Sequence, residues 1–355
     1  MSEAILSAAS RFALISAPVR AEKLGNGHIN ATYLVQCEDG SQYVLQRIND
    51  RVFTDVDTLM NNIFAVTSYL NGREPGSSLR FVRTNDGEKY LRCEAGCFRA
   101  YEYVPGLCLE KALTPAQLET CGTAFGRFQN ALADFDASVL GETIPRFHDT
   151  ENRLKKLEDA AEADPLGRLK TAKAEYEFYM ERRGEAGSML SMQAAGELKT
   201  RVTHNDTKLN NVILDPDTLE PRCVIDLDTV MPGLAGNDFG DCIRSGATTG
   251  KEDEPDVSLV HVDTALYRAF ARGFLGACGA SLSEKEIRTL PMGAKLMTYE
   301  CGARFLTDFL CGDVYFHTDY PQHNLVRCRT QMKLVADSEN KWNELNDIIR
   351  EEAGL

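Results

Sequence analysis

One stretch constrains this chain more than any other: Thr203-His204-Asn205-Asp206-Thr207-Lys208-Leu209-Asn210-Asn211, followed by Val212-Ile213-Leu214, a turn at Asp215-Pro216-Asp217, and Cys223-Val224-Ile225-Asp226-Leu227-Asp228. Written as a pattern it is H-x-D-x-x-x-x-N, then a short strand, a turn, and a second strand that delivers a carboxylate. Asn and Asp alone would suit a polar turn, because both bond their own backbone. The hairpin adds what a turn does not need, a third oxygen donor brought back to the loop. Phosphoryl transfer uses such a set, with one carboxylate facing the attacking hydroxyl while an amide and a second carboxylate hold the metal on the nucleotide phosphates. On this reading Asp206 accepts the hydroxyl proton. Asn211 offers a neutral oxygen and Asp226 a charged one to Mg²⁺, a hard cation that prefers oxygen ligands. His204 reads as a positioning residue.

Upstream, residues 19–104 carry short runs rich in Val, Tyr, Phe, Leu and Ile, at 31–36, 43–48, 79–83, 89–93 and 98–104. Asp39-Gly40 and Asp86-Gly87 separate such runs and favour tight hairpins, since Gly tolerates positive φ. An antiparallel sheet is predicted. One helix interrupts it over 55–70, where Leu59, Ile63, Val66 and Leu70 recur at helical spacing. The loop Gly25-Asn26-Gly27-His28-Ile29-Asn30 falls between the first two strands.

After residue 104 the pattern turns helical. Thr114-Pro115-x-Gln117 is a helix start, with Thr as N-cap and Gln three residues on. Leu118, Cys121, Phe125, Phe128, Leu132 and Phe135 form its core stripe. Residues 149–198 read as a solvated helical pair, and from Thr264 onward apolar stripes alternate with caps such as Ser283-Glu284-Lys285-Glu286.

The catalytic stretch, Asp226 and the later Asn237-Asp238-Phe239-Gly240-Asp241 resemble the aminoglycoside phosphotransferase and choline kinase superfamily. Gly27-His28-Ile29-Asn30, residues 202–211, Ile225-Asp226-Leu227-Asp228-Thr229, Glu300-Cys301-Gly302-Ala303-Arg304-Phe305-Leu306 and His323-Asn324-Leu325-Val326-Arg327 further resemble the N-acetylhexosamine 1-kinases. The resemblance implies an α+β, protein-kinase-like two-lobed fold, with a small antiparallel sheet lobe over 1–104 and a larger helical lobe over 105–355. It also implies ATP and Mg²⁺, with phosphorylation of the anomeric hydroxyl of N-acetylglucosamine or N-acetylgalactosamine. Carried over residue by residue, Gly25 and Gly27 would cover the nucleotide phosphates. Arg47 would stand at the third-strand position of the phosphate-pairing Lys, although the following helix offers no Glu as its partner. Glu102 and Val104 would form the hinge at the adenine. His28, Arg304 and Tyr315 would hold the sugar beside Asp206. Asp238, despite its Asp-Phe-Gly setting, would organise the loop rather than bind metal, because Asp226 already fills that role. The residues themselves support only a hydroxyl kinase. An aminoglycoside, choline, homoserine or another small alcohol remains an alternative acceptor, and a nucleotide-binding pseudokinase an alternative role.

Charge narrows the partners. A formal net charge of −14 over 355 residues, with no basic patch, argues against nucleic acid or an anionic membrane. Eleven cysteines, odd in number and without a C-x-x-C pair, read as reduced thiols in a chain of this size. The first residues carry an acid where a secretory signal needs a base, and no run approaches the roughly 18 apolar residues of a membrane span. A cytoplasmic protein is expected.

Overall fold

The computed structural model describes residues 2–25, 30–112 and 114–355, and these divide into two compact units. The first is residues 1–107 together with 135–145 and 213–232; the second holds 108–134, 146–212 and 233–355. The expected α+β class is found, with an antiparallel sheet in the first unit and helices dominating the second.

In the first unit, α1 (Ser2–Ala9) precedes β1 (Pro18–Lys23), β2 (Ala31–Cys37) and β3 (Gln42–Ile48). Then come α2 (Val56–Arg73), β4 (Phe81–Val82), β5 (Leu91–Cys93) and β6 (Gly96–Glu102). The strands run β1-β2-β3-β6-β4, all antiparallel, with β5 also on β6. The two runs expected at 79–83 and 89–93 shorten because they share one edge of β6: Phe81 and Val82 pair Tyr101 and Ala100, and Leu91 to Cys93 pair Phe98 to Gly96. Strand alternation sends Val35, Tyr43, Leu45, Phe98 and Ala100 to one face, where they pack with Ile5, Ala8 and Phe12. Asp55 caps α2 by accepting from the Thr58 N–H, and its apolar stripe Leu59, Ile63, Val66 and Leu70 is buried.

The sheet unit runs three residues past the expected boundary at 104 and takes in two later segments, for reasons visible in its bonds. Asn62, midway along α2, donates to the carbonyls of Gly141 (2.7 Å) and Val230 (3.0 Å) and accepts from the Gly141 N–H. Leu107 and Leu214 exchange backbone hydrogen bonds at 2.9 and 2.8 Å. The hairpin that carries Asp226 thereby belongs with the sheet.

The second unit contains α3 (Pro115–Ala131), α4 (Thr150–Ala163), α5 (Lys173–Glu181), α6 (Ser188–Ala194) and the strand β7 (Arg201–Thr203). It continues with α7 (Ala235–Gly246), α8 (Thr264–Cys278), α9 (Glu284–Cys311), α10 (His323–Asn340) and α11 (Trp342–Ala353). Both predicted capping boxes form, at Thr114/Gln117 and Ser283/Glu286. Phe135 lies beyond the end of α3, half-buried, edge-on to Tyr69 at 5.0 Å. Residues 149–198 are less solvated than their charge suggested. Leu154, Leu157, Ala160 and Ala161 of α4 and Tyr179 of α5 join the core formed with Tyr299, Phe305, Leu306 and Phe309 of α9. Helix α9 is buried on most sides, as a central helix must be. Among the described residues no helix is long and apolar enough to cross a membrane, and all eleven cysteines are free thiols.

Candidate active site

The helical unit holds residues 203–211, the stretch read from the sequence as catalytic. Beyond β7 the chain turns at Asn205, whose φ of +63° is left-handed, a conformation Asn tolerates better than most residues. His204 is fully buried, edge-on to Phe125 and Phe128 at 5.5 and 6.0 Å. Its Nδ1 accepts from the Asp206 N–H. Asp238, also fully buried, accepts from the N–H groups of His204 (2.9 Å) and Asn205 (2.7 Å) and from the Gln129 amide (2.6 Å), while its own carbonyl accepts from Thr207 Oγ1. The Asp-Phe-Gly triplet is thus local architecture. Phe239 packs among Tyr267, Phe270 and Phe274, and a Cβ on Gly240 would meet the Gly293 carbonyl at 2.4 Å, so glycine there lets α7 and α9 touch.

Asp206 is half-buried, with Lys208 Nζ 2.7 Å from Oδ1. Burial alone would lower the Lys208 pKa, but the carboxylates of Asp206 and Asp241 outweigh it and hold the ammonium above its ordinary value. Asn211 donates its amide N–H to the Asp206 carbonyl (2.8 Å) and carboxylate (3.2 Å). That orientation commits the nitrogen and leaves the amide oxygen as the group available to a hard cation.

The sheet unit holds the remaining residues read from the sequence. Asp226 is exposed with φ +60°, whereas Asp228, two residues on, is buried. The Asp228 carboxylate is ion-paired with Arg99, which is 2% exposed, and accepts from Asn30 Nδ2 at 2.5 Å. Arg99 Nε donates to Gln46 Oε1 at 2.9 Å, and Asn30 Oδ1 accepts from the Asn49 N–H at 2.9 Å. This network joins Asn30, β3, β6 and the Asp226 segment. Arg47 lies outside it. Alternation puts Arg47 on the face of Tyr43 and Leu45, where its guanidinium lies across Gly96, while Gln46 shares the face of Arg99. Glu102 is exposed at the end of β6. Val104 packs with Leu79, Tyr101, Ile213, Cys223 and Ile225, an apolar wall. Gly25 has φ +66°; Gly27 and His28 lie outside the described residues.

A third group surrounds Arg304 in the helical unit. Its guanidinium carbon lies 5.6, 5.8 and 5.4 Å from the ring centres of Phe147, Tyr315 and Phe316, and among the described residues it has no hydrogen-bond or ion-pair partner. Tyr315 is 59% exposed, in the loop after α9. Asp308 shapes that loop by accepting from the N–H groups of Val314, Tyr315 and Phe316 and from Asn324. Arg153 lies beside this group: it donates to the Phe147 carbonyl and reaches to 3.9 Å from Glu300.

Lys208, Arg99, Asp228 and Glu300 lie outside the site residues expected from the sequence. Lys208, two positions after Asp206, was findable from spacing. The Arg99–Asp228 pair had no local signal.

The sequence model of the phosphotransferase enzyme family matches residues 20–274. Solved structures agree in fold. An aminoglycoside phosphotransferase from Alicyclobacillus acidocaldarius is similar at 13% identity and a TM-score of 0.64, over 100% of this chain and 96% of that one. A Plasmodium vivax ethanolamine kinase is similar at 14% identity and 0.58, over 88% and 82%. A choline kinase from Cryptosporidium parvum Iowa II is similar at 14% and 0.57, over 95% and 93%. With most of its length matched by the family model, this chain belongs to the phosphotransferase enzyme family of ATP-dependent small-molecule kinases.

Proposed function

We propose that the protein transfers the γ-phosphoryl group of ATP to the anomeric hydroxyl of an N-acetylhexosamine, giving the sugar 1-phosphate. The observation that carries the choice of acceptor is Arg304, a cation inside three aromatic rings with its donors unpaired among the described residues. A guanidinium fork suits an amide oxygen or vicinal hydroxyls, and Tyr315 and His28 add a hydroxyl and a ring donor for the rest of the sugar. A cationic acceptor would meet Arg304 and Arg153 as like charges, which disfavours its binding.

In the reaction Asp206 accepts the proton of the anomeric hydroxyl, which is more acidic than a ring alcohol and easier for a carboxylate to activate. Lys208, beside that carboxylate, carries a positive charge suited to the transferring phosphoryl group. Asn211 and Asp226, a neutral and a charged oxygen donor, suit Mg²⁺, which when bound neutralises charge on the nucleotide phosphates. Gly25 and Gly27 supply backbone over the phosphates, and Glu102 and Val104 the adenine edge. Arg99 takes the place proposed for Arg47 as the cation of the sheet face, held by Asp228.

A second reading, a kinase of another small alcohol, is supported by the names of the structures similar in fold, which are those of aminoglycoside, ethanolamine and choline enzymes. An ATP-consumption screen over N-acetylglucosamine, N-acetylgalactosamine, choline, ethanolamine, homoserine and kanamycin separates the two. Turnover on N-acetylhexosamines alone is expected; turnover on an amine acceptor with none on these sugars would replace the first reading by the second.

A further inference from the structure

One largely buried histidine takes no part in the steps above. His148 stands just ahead of α4, its side chain 10% exposed and its ring 4.5 Å from that of Phe147. Nδ1 lies 3.0 Å from Glu300 Oε1, and Nε2 lies 3.2 Å from the backbone carbonyl of Asn205. Both partners are acceptors. A neutral imidazole has one N–H and can serve only one of them, whereas an imidazolium serves both.

The surroundings favour that charge. Glu300, 2% exposed, also accepts from Thr150 Oγ1 at 2.9 Å and has Arg153 Nε at 3.9 Å, with Arg304 one turn further along α9. From α7, Asp241 faces the same region and is itself paired with Arg244 at 2.8 Å. From the catalytic stretch come the Asn205 carbonyl and, beyond it, the Asp206–Lys208 pair. Burial pushes the imidazolium towards neutrality, but Glu300 first and Asp241 after it outweigh burial and raise the His148 pKa above its ordinary value.

The carbonyl held by His148 belongs to the peptide that leads into Asp206. The N–H of the same peptide donates to His204 Nδ1 at 3.3 Å, so the Asn205–Asp206 peptide is gripped on both edges by histidines. We propose that His148 is a positioning residue: as an imidazolium locked on Glu300, it fixes the Asn205–Asp206 peptide and thereby the carboxylate of Asp206. The inference rests on the reading of Asp206 as the base. Because the folded pKa is raised, the contact is complete below the ordinary histidine value of about 6.5 and is lost as pH rises through the folded value. Turnover should fall with it on the alkaline side.

The test has two arms. In the first, ¹⁵N-histidine NMR of the full chain without substrate, assigned with His148→Gln, follows the His148 ring and the Asp206 amide against pH. Two protonated ring nitrogens persisting beyond the pH at which an ordinary histidine loses one, and an Asp206 amide that titrates together with them, are expected; Glu300→Gln should shift that titration to lower pH. A ring already neutral at pH 6, or an Asp206 amide indifferent to it, would overturn the proposal. This arm needs no acceptor, so its outcome stands apart from that of the proposed function. In the second, His148→Gln should lower kcat about 10- to 100-fold, the scale of a small misplacement of a reacting group. KM for ATP should stay within about twofold of wild type, and the alkaline fall in kcat should vanish. An unchanged alkaline limb in the variant would overturn the proposal equally.

Discussion

Replacing Arg99 by Met removes one partner of a buried ion pair and nothing of comparable volume. Among the described residues Asp228 would keep only the Asn30 amide at 2.5 Å, and Gln46 would lose the N–H it now accepts. Leaving one charge of such a pair uncompensated costs about 3–5 kcal/mol. The sheet unit contains roughly 140 residues, and at about 2.1 cal/mol/K per residue its unfolding entropy is ~0.3 kcal/mol/K, so ~4 kcal/mol should lower its Tm by about 13 °C. Were all 355 residues to unfold as one, the same energy would lower Tm by only about 5 °C. Differential scanning calorimetry reads both the shift and whether one transition or two occur. The double variant Arg99→Met/Asp228→Leu should regain most of the loss, because exchanging a whole buried pair for apolar volume is often close to neutral. A single variant within about 2 °C of wild type, or a double variant less stable than the single, would refute the role given to this pair.

Four further outcomes are expected. Asp206→Asn should lower kcat by about 10²- to 10⁴-fold with little change in KM for ATP, read from steady-state kinetics. Asp226→Ala should abolish Mg²⁺-dependent ATP binding in calorimetric titration. Asp238→Ala, which strips the acceptor from two loop N–H groups and from Gln129, should instead lower Tm, each orphaned donor costing about 1–3 kcal/mol. Arg304→Ala should raise KM for the N-acetylhexosamine while KM for ATP stays near wild type; a rise confined to ATP would move Arg304 out of the acceptor site.

Local signals in the sequence were the legible ones. The H-x-D-x-x-x-x-N spacing, the hairpin behind it and the capping boxes at Thr114 and Ser283 all lie within a few residues of their partners, so chain order reveals them. The face of β3 was harder to read. Val44-Leu45-Gln46-Arg47-Ile48 is apolar on both sides of its polar pair, and a one-residue slip exchanges the faces; only pairing with β6 sets Gln46, not Arg47, beside Arg99. Asp228 and Arg99 stand 129 positions apart, Glu300 and His148 152 apart, and no spacing announces such pairs. In α4 the lysines at 155 and 156 sit among acids and mask a stripe of Leu154, Leu157, Ala160 and Ala161 that the fold buries.

The most direct measurement is the position of the phosphate in the product. Incubated with ATP, Mg²⁺ and N-acetylglucosamine, the protein should give a product whose ³¹P resonance is coupled to H-1 of the sugar and which no longer reduces copper. A phosphorylated sugar that still reduces copper, with its ³¹P signal coupled to protons on another carbon, would contradict transfer to the anomeric hydroxyl even if Asp206 proved to be the base.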